Sequence, residues 1–226
     1  MRPLFILVEG ATERGVVESV FARDLAEKRV YLYAKDMKGN RFERFINEVE
    51  KFAKDSRDPL ITMMFDYYGM KGKWPGTAQP SGSTPHEIAL SVERMISQEV
   101  EKRLGSNIAN RFIPYVQMHE LETLLYADPE ITSELLQQPE KAEIMKREIS
   151  EAGECEKINN SKETCPAKRI SGHFSNYKKG DLKSSKRIGE SRLQAMSILG
   201  KIGIPQLKKT CPHFAYWYNH LETLGD

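Results

Sequence analysis

Two hydrophobic periods alternate along this chain, and their order predicts its elements. Pro3 to Val8 is an apolar run that stops at Glu9-Gly10, as a buried strand does on entering a turn. Thr12 stands as an N-cap, and Val16, Val17, Val20, Phe21 and Leu25 then recur at helical spacing. Val30 to Tyr33 predicts a second short strand, and Phe42, Phe45, Ile46, Val49 and Phe52 a second helix. Leu60 to Phe65 is a third apolar run, closed by Asp66. Strand, helix, strand, helix, strand predicts an α/β fold with a mainly parallel sheet, because each crossover must carry the chain back over one face.

Gly69 to Pro85, rich in Gly, Pro and Ser, reads as a long surface loop, a length often tied to function. A helix from about His86 to Leu104 carries Ile88, Val92, Met95, Ile96 and Val100. Phe112 to Met118 is a fourth strand, and His119 to Tyr126 starts a helix with Leu121, Leu124 and Leu125 on its apolar side. Ser150 to Ser185 is polar, basic and without apolar periodicity, which suits a lid or binding loop. Met196, Leu199, Ile202 and Ile204 return to core character, and Phe214, Trp217, Tyr218 and Leu221 make an aromatic closing helix that packs on the sheet. The expected division is an α/β domain over residues 1–130 and a C-terminal extension over 131–226, packed on the same core.

The 226 residues are 39% hydrophobic and 29% charged, ordinary globular composition rather than disorder. No run approaches the ~20 apolar residues that span a bilayer. The apolar N-terminal run is too short for a secretory signal and lacks a cleavage site. The expectation is a cytoplasmic chain with no membrane partner. Cys155, Cys165 and Cys211, odd in number and irregular in spacing, argue against a disulfide framework, and the absence of a CxxC or HxxxH pair argues against zinc with His173 and His213. Net charge is only +2, yet Lys157 to Thr210 holds 13 Lys and Arg against 3 Asp and Glu. Such a block binds phosphate backbones or forms a solvated surface.

Ligands of open α/β sheets bind at the carboxyl ends of the strands. Glu9 follows the first strand, Asp66 the third, and Glu120 and Glu122 the fourth. Carboxylates gathered there repel one another unless a cation joins them, and hard oxygen donors with room for water and phosphate suit Mg²⁺ or Mn²⁺. Glu120 and Glu122 share a face if that segment is extended and diverge if it is helical. Gly10 fits a tight strand-to-helix turn that lets a phosphate approach backbone N–H groups. No GxGxxG or Walker A pattern occurs, so nucleotide-cofactor readings lose ground. Lys168 and Arg169, followed by Tyr177, Lys178 and Lys179, are candidates to clamp a phosphate backbone, the alternative being a basic loop. His119 reads as a proton shuttle, a second-shell ligand or a satisfied core histidine. His213 is a further acid–base candidate whose neighbours Cys211, Pro212 and Phe214 suggest packing.

Val8-Glu9-Gly10-Ala11-Thr12-Glu13 resembles the opening motif of Toprim domains, found in topoisomerases, primases and the overcoming-lysogenization-defect nucleases. That resemblance implies a first-strand glutamate and a later Asp-x-Asp holding Mg²⁺. Here the later motif reads Asp66-Tyr67-Tyr68-Gly69, with Tyr68 in place of the second aspartate and Glu120 or Glu122 as candidates to make it good. The wider pattern is similar to a Toprim-related family, domain of unknown function 4276. The matching pieces are Val8-Glu9-Gly10 to Glu13, Asp66 to Gly69, Trp74-Pro75-Gly76, Pro114 to Glu122, Ala167-Lys168-Arg169-Ile170 and Cys211-Pro212-His213-Phe214, in order along nearly the whole chain. The resemblance implies a Toprim-like core with a family-specific C-terminal extension, basic over 157–210 and aromatic over 211–224. It also implies a bacterial setting beside AAA-type ATPases, in anti-phage defence.

Three functions follow as expectations. The first is a Mg²⁺-dependent nuclease with Glu9, Asp66 and Glu120 or Glu122 at the metal and Lys168 and Arg169 on the substrate. The second is a catalytically silent Toprim that binds or senses as partner of an ATPase. The third is a small-molecule phosphohydrolase or nucleotidyl-transfer enzyme. A homo-oligomer is compatible with each.

Overall fold

A computed structural model describes residues 2–158, 164–177 and 185–225, with only the backbone described at 185–189 and 191. The first strand, β1 (Leu4–Val8), is central. It pairs in parallel with β2 (Leu32–Asp36) on one side and β3 (Leu60–Asp66) on the other. The expected fourth strand is broken in two, β4 (Phe112–Ile113) and β5 (Val116–Gln117), both parallel to β3. Pro114 has no N–H for a ladder, and the chain bends out there before pairing again. The order β2-β1-β3-β4 is a mainly parallel α/β sheet, as the sequence predicts.

Alternation along the strands separates two hydrophobic layers. Leu4, Ile6 and Val8 enter one cluster, and Leu7 the other, because successive side chains of a strand point to opposite faces. The layer beneath Leu7 joins Ile61, Met63 and Phe65 to helix α3 (Phe42–Ala53) and to α5 (Pro85–Leu104), and includes Trp74. Trp74 comes from the connection that follows the short helix α4 (Tyr67–Met70), and it is buried with Thr77. The expected surface loop is therefore pinned to the core.

The opposite layer joins β1 to α1 (Ala11–Val16), a π-helical turn (Val17–Phe21) and α2 (Ala22–Glu27). The C-terminal half closes over it. After α6 (Ser106–Ala109) and a 3-10 helix (Leu121–Ala127) come α7 (Pro129–Leu135), α8 (Ala142–Ala152) and α9 (Pro166–His173). The last two are α10 (Ser185–Thr210), broken at Gly203 where φ is 76°, and α11 (Pro212–Glu222). Gly15 lets α10 approach α1, since a Cβ there would stand 2.7 Å from Met196 Sδ. Phe214 and Trp217 of α11 lie against Phe21, and Trp217 Nε1 donates to Thr62 Oγ1 at 3.0 Å.

Two expectations change here. The helix expected over His119 to Tyr126 is a 3-10 helix that begins only at Leu121. Within the polar stretch 150–185, Cys155, Ile158, Cys165, Ile170, Phe174 and Tyr177 are buried and belong to the core, while 159–163 and 178–184 of the expected lid or binding loop lie outside the described residues. All three cysteines are buried. Among the described residues, no helix is long and apolar enough to cross a membrane.

Candidate functional site

The sheet's carboxyl edge is where its carboxylates emerge. β1 ends at Val8, opposite Met64, so Glu9 and Asp66 leave neighbouring strands within one register step. Neighbouring strands lie about 4.8 Å apart. Asp66 continues the face of Thr62 and Met64, toward the C-terminal layer, and is 8% exposed. Glu9 lies over Gly69 instead. A Cβ on Gly69 would come within 2.7 Å of Glu9 Oε2, so only glycine leaves the carboxylate its place.

Asn40 fixes this arrangement. Its Nδ2 donates to the Gly69 carbonyl at 2.6 Å and, at a long 3.4 Å, to Glu9 Oε1. The indole N–H of Trp74 donates to the Asn40 carbonyl at 2.6 Å. Asn40 also borders a cavity of about 630 Å³ whose wall includes Arg41, Lys73, Pro75 and Arg103. Arg103 is taken up by Glu43 and Glu99, whereas Arg41 and Lys73 are exposed and in no ion pair among the described residues. Sequence reasoning missed Asn40, Arg41 and Lys73. Their position just beyond β2 and in the 71–84 connection was the available signal.

Gly10 is extended (φ −151°, ψ −172°) at the start of α1, and a Cβ there would stand 3.1 Å from Glu13 Oε2. Glu120 is extended and Glu122 sits in the first 3-10 turn, so their side chains part. Glu120 Oε2 accepts the Ala167 N–H at 3.1 Å. Glu122, 4% exposed, accepts the Tyr177 hydroxyl at 3.1 Å. Burial first, then Glu122, raises Tyr177 well above an ordinary phenol, with Glu120 and Glu13 adding to it. Tyr177 is thus buried and held by Glu122 and is not an exposed clamp.

Arg169 is held as well. Its Nε donates to the Thr164 carbonyl at 2.6 Å and its Nη1 to Glu148 at 2.8 Å. Glu148 also takes Tyr126 and His173. Burial works to raise Glu148, but these bonds outweigh it and the group lies below the usual carboxylate range. Lys168 is exposed on α9. Lys178 and Lys179 lie outside the described residues.

Beyond Asp66, Tyr68 occupies the second motif position. Its N–H donates to the His119 carbonyl at 3.3 Å, and the two rings stand 5.6 Å apart. Burial first, then Cys165 and Glu120, pushes Tyr68 up to about 12. His119 has φ 64° and gives its Nε2 proton to the Glu156 carbonyl at 2.8 Å. Burial holds it down to about 4, so it is a neutral structural histidine at pH 7.

Among the described residues, no three His, Cys, Asp or Glu side chains converge as one metal-holding group. The four carboxylates expected at one ion are thus shared between different neighbours. A hard cation that keeps most of its water needs only one or two carboxylates. Glu9 in its glycine cradle and Asp66 on the next strand fit that smaller demand.

The sequence matches the family described as Domain of unknown function (DUF4276) over residues 8–222. No curated protein matches it. The fold is similar to the C-terminal region of the Burkholderia pseudomallei OLD protein, with a TM-score of 0.50, 12% identity and 100% of both chains covered. At that identity the likeness speaks for a Toprim-like fold.

Proposed function

This chain belongs to the family of domain of unknown function 4276, and on that premise we propose that it hydrolyses phosphodiester bonds of nucleic acid at the carboxyl edge of its sheet. One observation carries the reading. Two carboxylates leave neighbouring parallel strands at the sheet's carboxyl edge, and Asn40, which donates to Glu9, also borders a cavity whose wall includes Arg41 and Lys73. A phosphate backbone drawn to the two cations comes to lie next to Glu9.

Glu9 and Asp66 would hold a Mg²⁺ or Mn²⁺ ion, which when bound supplies charge neutralisation at the phosphoryl oxygen and acidifies a water. The protein's own part is placement. Asn40 orients Glu9, Gly69 leaves it room, and Arg41 and Lys73 hold the polyanion. Lys168 stays available for a more distant phosphate.

The test is cleavage of labelled DNA and RNA with Mg²⁺ or Mn²⁺, wild type beside Glu9→Gln and Asp66→Asn, with EDTA as control. Metal-dependent cleavage lost in both folded variants is the expected result. Full cleavage by both overturns the assignment.

One feature favours a second reading, in which the domain is a silent binding partner of an AAA-type ATPase in a defence system. Tyr68, packed on His119, stands where the Toprim pattern has its second aspartate. That reading expects no cleavage by the wild type and a stable complex with the ATPase. Co-expression that fails to retain the ATPase counts against it.

A further inference from the structure

A second polar set is buried at the same end of the sheet. Glu93 of α5 is 4% exposed, and its Oε1 accepts the Val116 N–H at 2.8 Å. Val116 is the register partner of Phe65, one step before the Asp66–Gln117 pair. The same oxygen lies 2.9 Å from Nε2 of His213, which is 0% exposed at the start of α11. His213 Nδ1 lies 3.0 Å from Nδ1 of His86, in the first turn of α5. The ring of Tyr115 stacks on His213 at 5.2 Å and 17°, and its hydroxyl donates to Gln117 at 2.8 Å. Glu156 accepts the N–H groups of His213 and Phe214, which fixes where α11 begins.

The protons can be assigned by elimination. Glu93 as a carboxylate only accepts, so His213 donates from Nε2. His213 Nδ1 then carries a lone pair, and His86 must donate from its own Nδ1. That leaves the lone pair of His86 on Nε2, which makes no hydrogen bond among the described residues. A carboxylate orienting one imidazole, which orients another with an open nitrogen, is the arrangement of an oriented general base. Sinking a glutamate and a histidine this deep is costly for packing alone.

We propose that Glu93, His213 and His86 form a proton relay, with His86 Nε2 as general base and acid and with Glu93 and His213 as positioning residues. The reaction it serves rests on the phosphodiesterase reading above; the relay itself does not. His86 Nε2 takes a proton from water as the water oxygen bonds to phosphorus. The Nδ1 proton passes to His213, so the positive charge rests against Glu93. As the P–O bond to the leaving sugar oxygen breaks, these protons run back and the Nε2 proton goes to that oxygen. The groups facing His86 are His213, Glu93, Glu87, Glu154 and the edge of Tyr216 at 5.4 Å. Burial first, then His213, lowers His86 below the usual imidazole range, so its lone pair is available at neutral pH.

The test is ¹⁵N NMR of the histidine rings through a pH titration, on wild type, Glu93→Gln and His213→Gln, joined to cleavage rates of His86→Gln. The expected spectrum has neutral His86 protonated on Nδ1 and neutral His213 on Nε2. The His86 titration should move to lower pH in Glu93→Gln. His86→Gln, at a half-buried position that can fold with either residue, should lose about 10²–10⁴-fold in kcat. His86→Ala should regain part of that loss with added imidazole. A neutral His86 protonated on Nε2, or a titration that Glu93→Gln leaves in place, overturns the relay. Cleavage by His86→Gln equal to wild type at every pH overturns its catalytic role. If the wild type cleaves nothing, the phosphodiesterase reading fails on its own and the spectra still decide the relay.

Discussion

Replacing Gly69 with alanine is the most local perturbation of the Glu9 carboxylate. The added Cβ would stand 2.7 Å from Glu9 Oε2, 3.2 Å from Oε1 and 2.6 Å from Asn40 Nδ2. Gly69 is not at positive φ, so its backbone accepts alanine and the cost is wholly steric. The atoms met are ends of side chains, which can swing away. To return to ordinary contact at 3.4 Å, the carboxylate must withdraw by about 0.7 Å, and the 2.6 Å bond from Asn40 to the Gly69 carbonyl goes with it. A lost hydrogen bond of this kind costs about 1 kcal/mol, or roughly 2–4 °C in Tm for a chain of this size. A displacement near 1 Å at a reacting group costs about 10²-fold in rate. The expected signature is therefore a small fall in Tm with about a 10- to 100-fold loss of kcat/KM and weaker Mn²⁺ binding by calorimetry. Gly172→Ala is the control. Nothing lies within 4 Å of its Cβ, and an alanine in α9 should add about 0.5–1 kcal/mol without touching activity. Wild-type Mn²⁺ affinity and cleavage in Gly69→Ala would refute the claim that Glu9 acts from where it stands. A loss of more than about 3 kcal/mol would show that the cradle serves packing.

Two further outcomes are expected. His119 is held down to about 4 from 6.5, so the unfolded chain binds its proton first, and stability present above pH 6.5 is lost as pH falls toward 4. The loss should reach about 3 kcal/mol, measured as urea midpoints at pH 7, 5.5 and 4, and His119→Asn, which tolerates the φ of 64°, should flatten that limb; an equal slope in the variant rules His119 out as its source. For Arg41→Ala and Lys73→Ala, nucleic-acid binding should weaken, and the plot of log K against log salt should become shallower by about 0.7–0.9 per lost phosphate contact. An unchanged slope would place the polyanion elsewhere.

The sequence made the strands near the site readable because their apolar runs end abruptly at acids. Val8 before Glu9 and Phe65 before Asp66 mark the points where the backbone leaves the core. β2 was harder. It is an edge strand whose Tyr33 and Lys35 are exposed, so its apolar signal stops short of its true end at Asp36. Residue type also told nothing of direction. Arg169 and Tyr177 suit phosphate binding in chemistry, yet Glu148 and Glu122 hold them inside. Ile170, Phe174 and Tyr177 stand at i, i+4 and i+7, but three apolar positions in an otherwise polar, basic stretch are too few to mark it as core. The Glu93–His213 pair spans 120 residues, and no local pattern encodes a contact between two helices so far apart in the chain.

The place of α11 in the same core layer as β1 also sets a timetable for synthesis. Phe214, Trp217 and Leu221 are fully or almost fully buried in the same cluster as Leu4, Ile6 and Val8. The layer that β1 shares with α1 and α2 is therefore completed only when α11 has left the ribosome. Until then the part of that layer around Phe21 is open to whatever is near, and loop closure over that span is slow. A nascent chain arrested before α11 would be a client for chaperones, and a message cut short there would yield an aggregation-prone product rather than a smaller working domain.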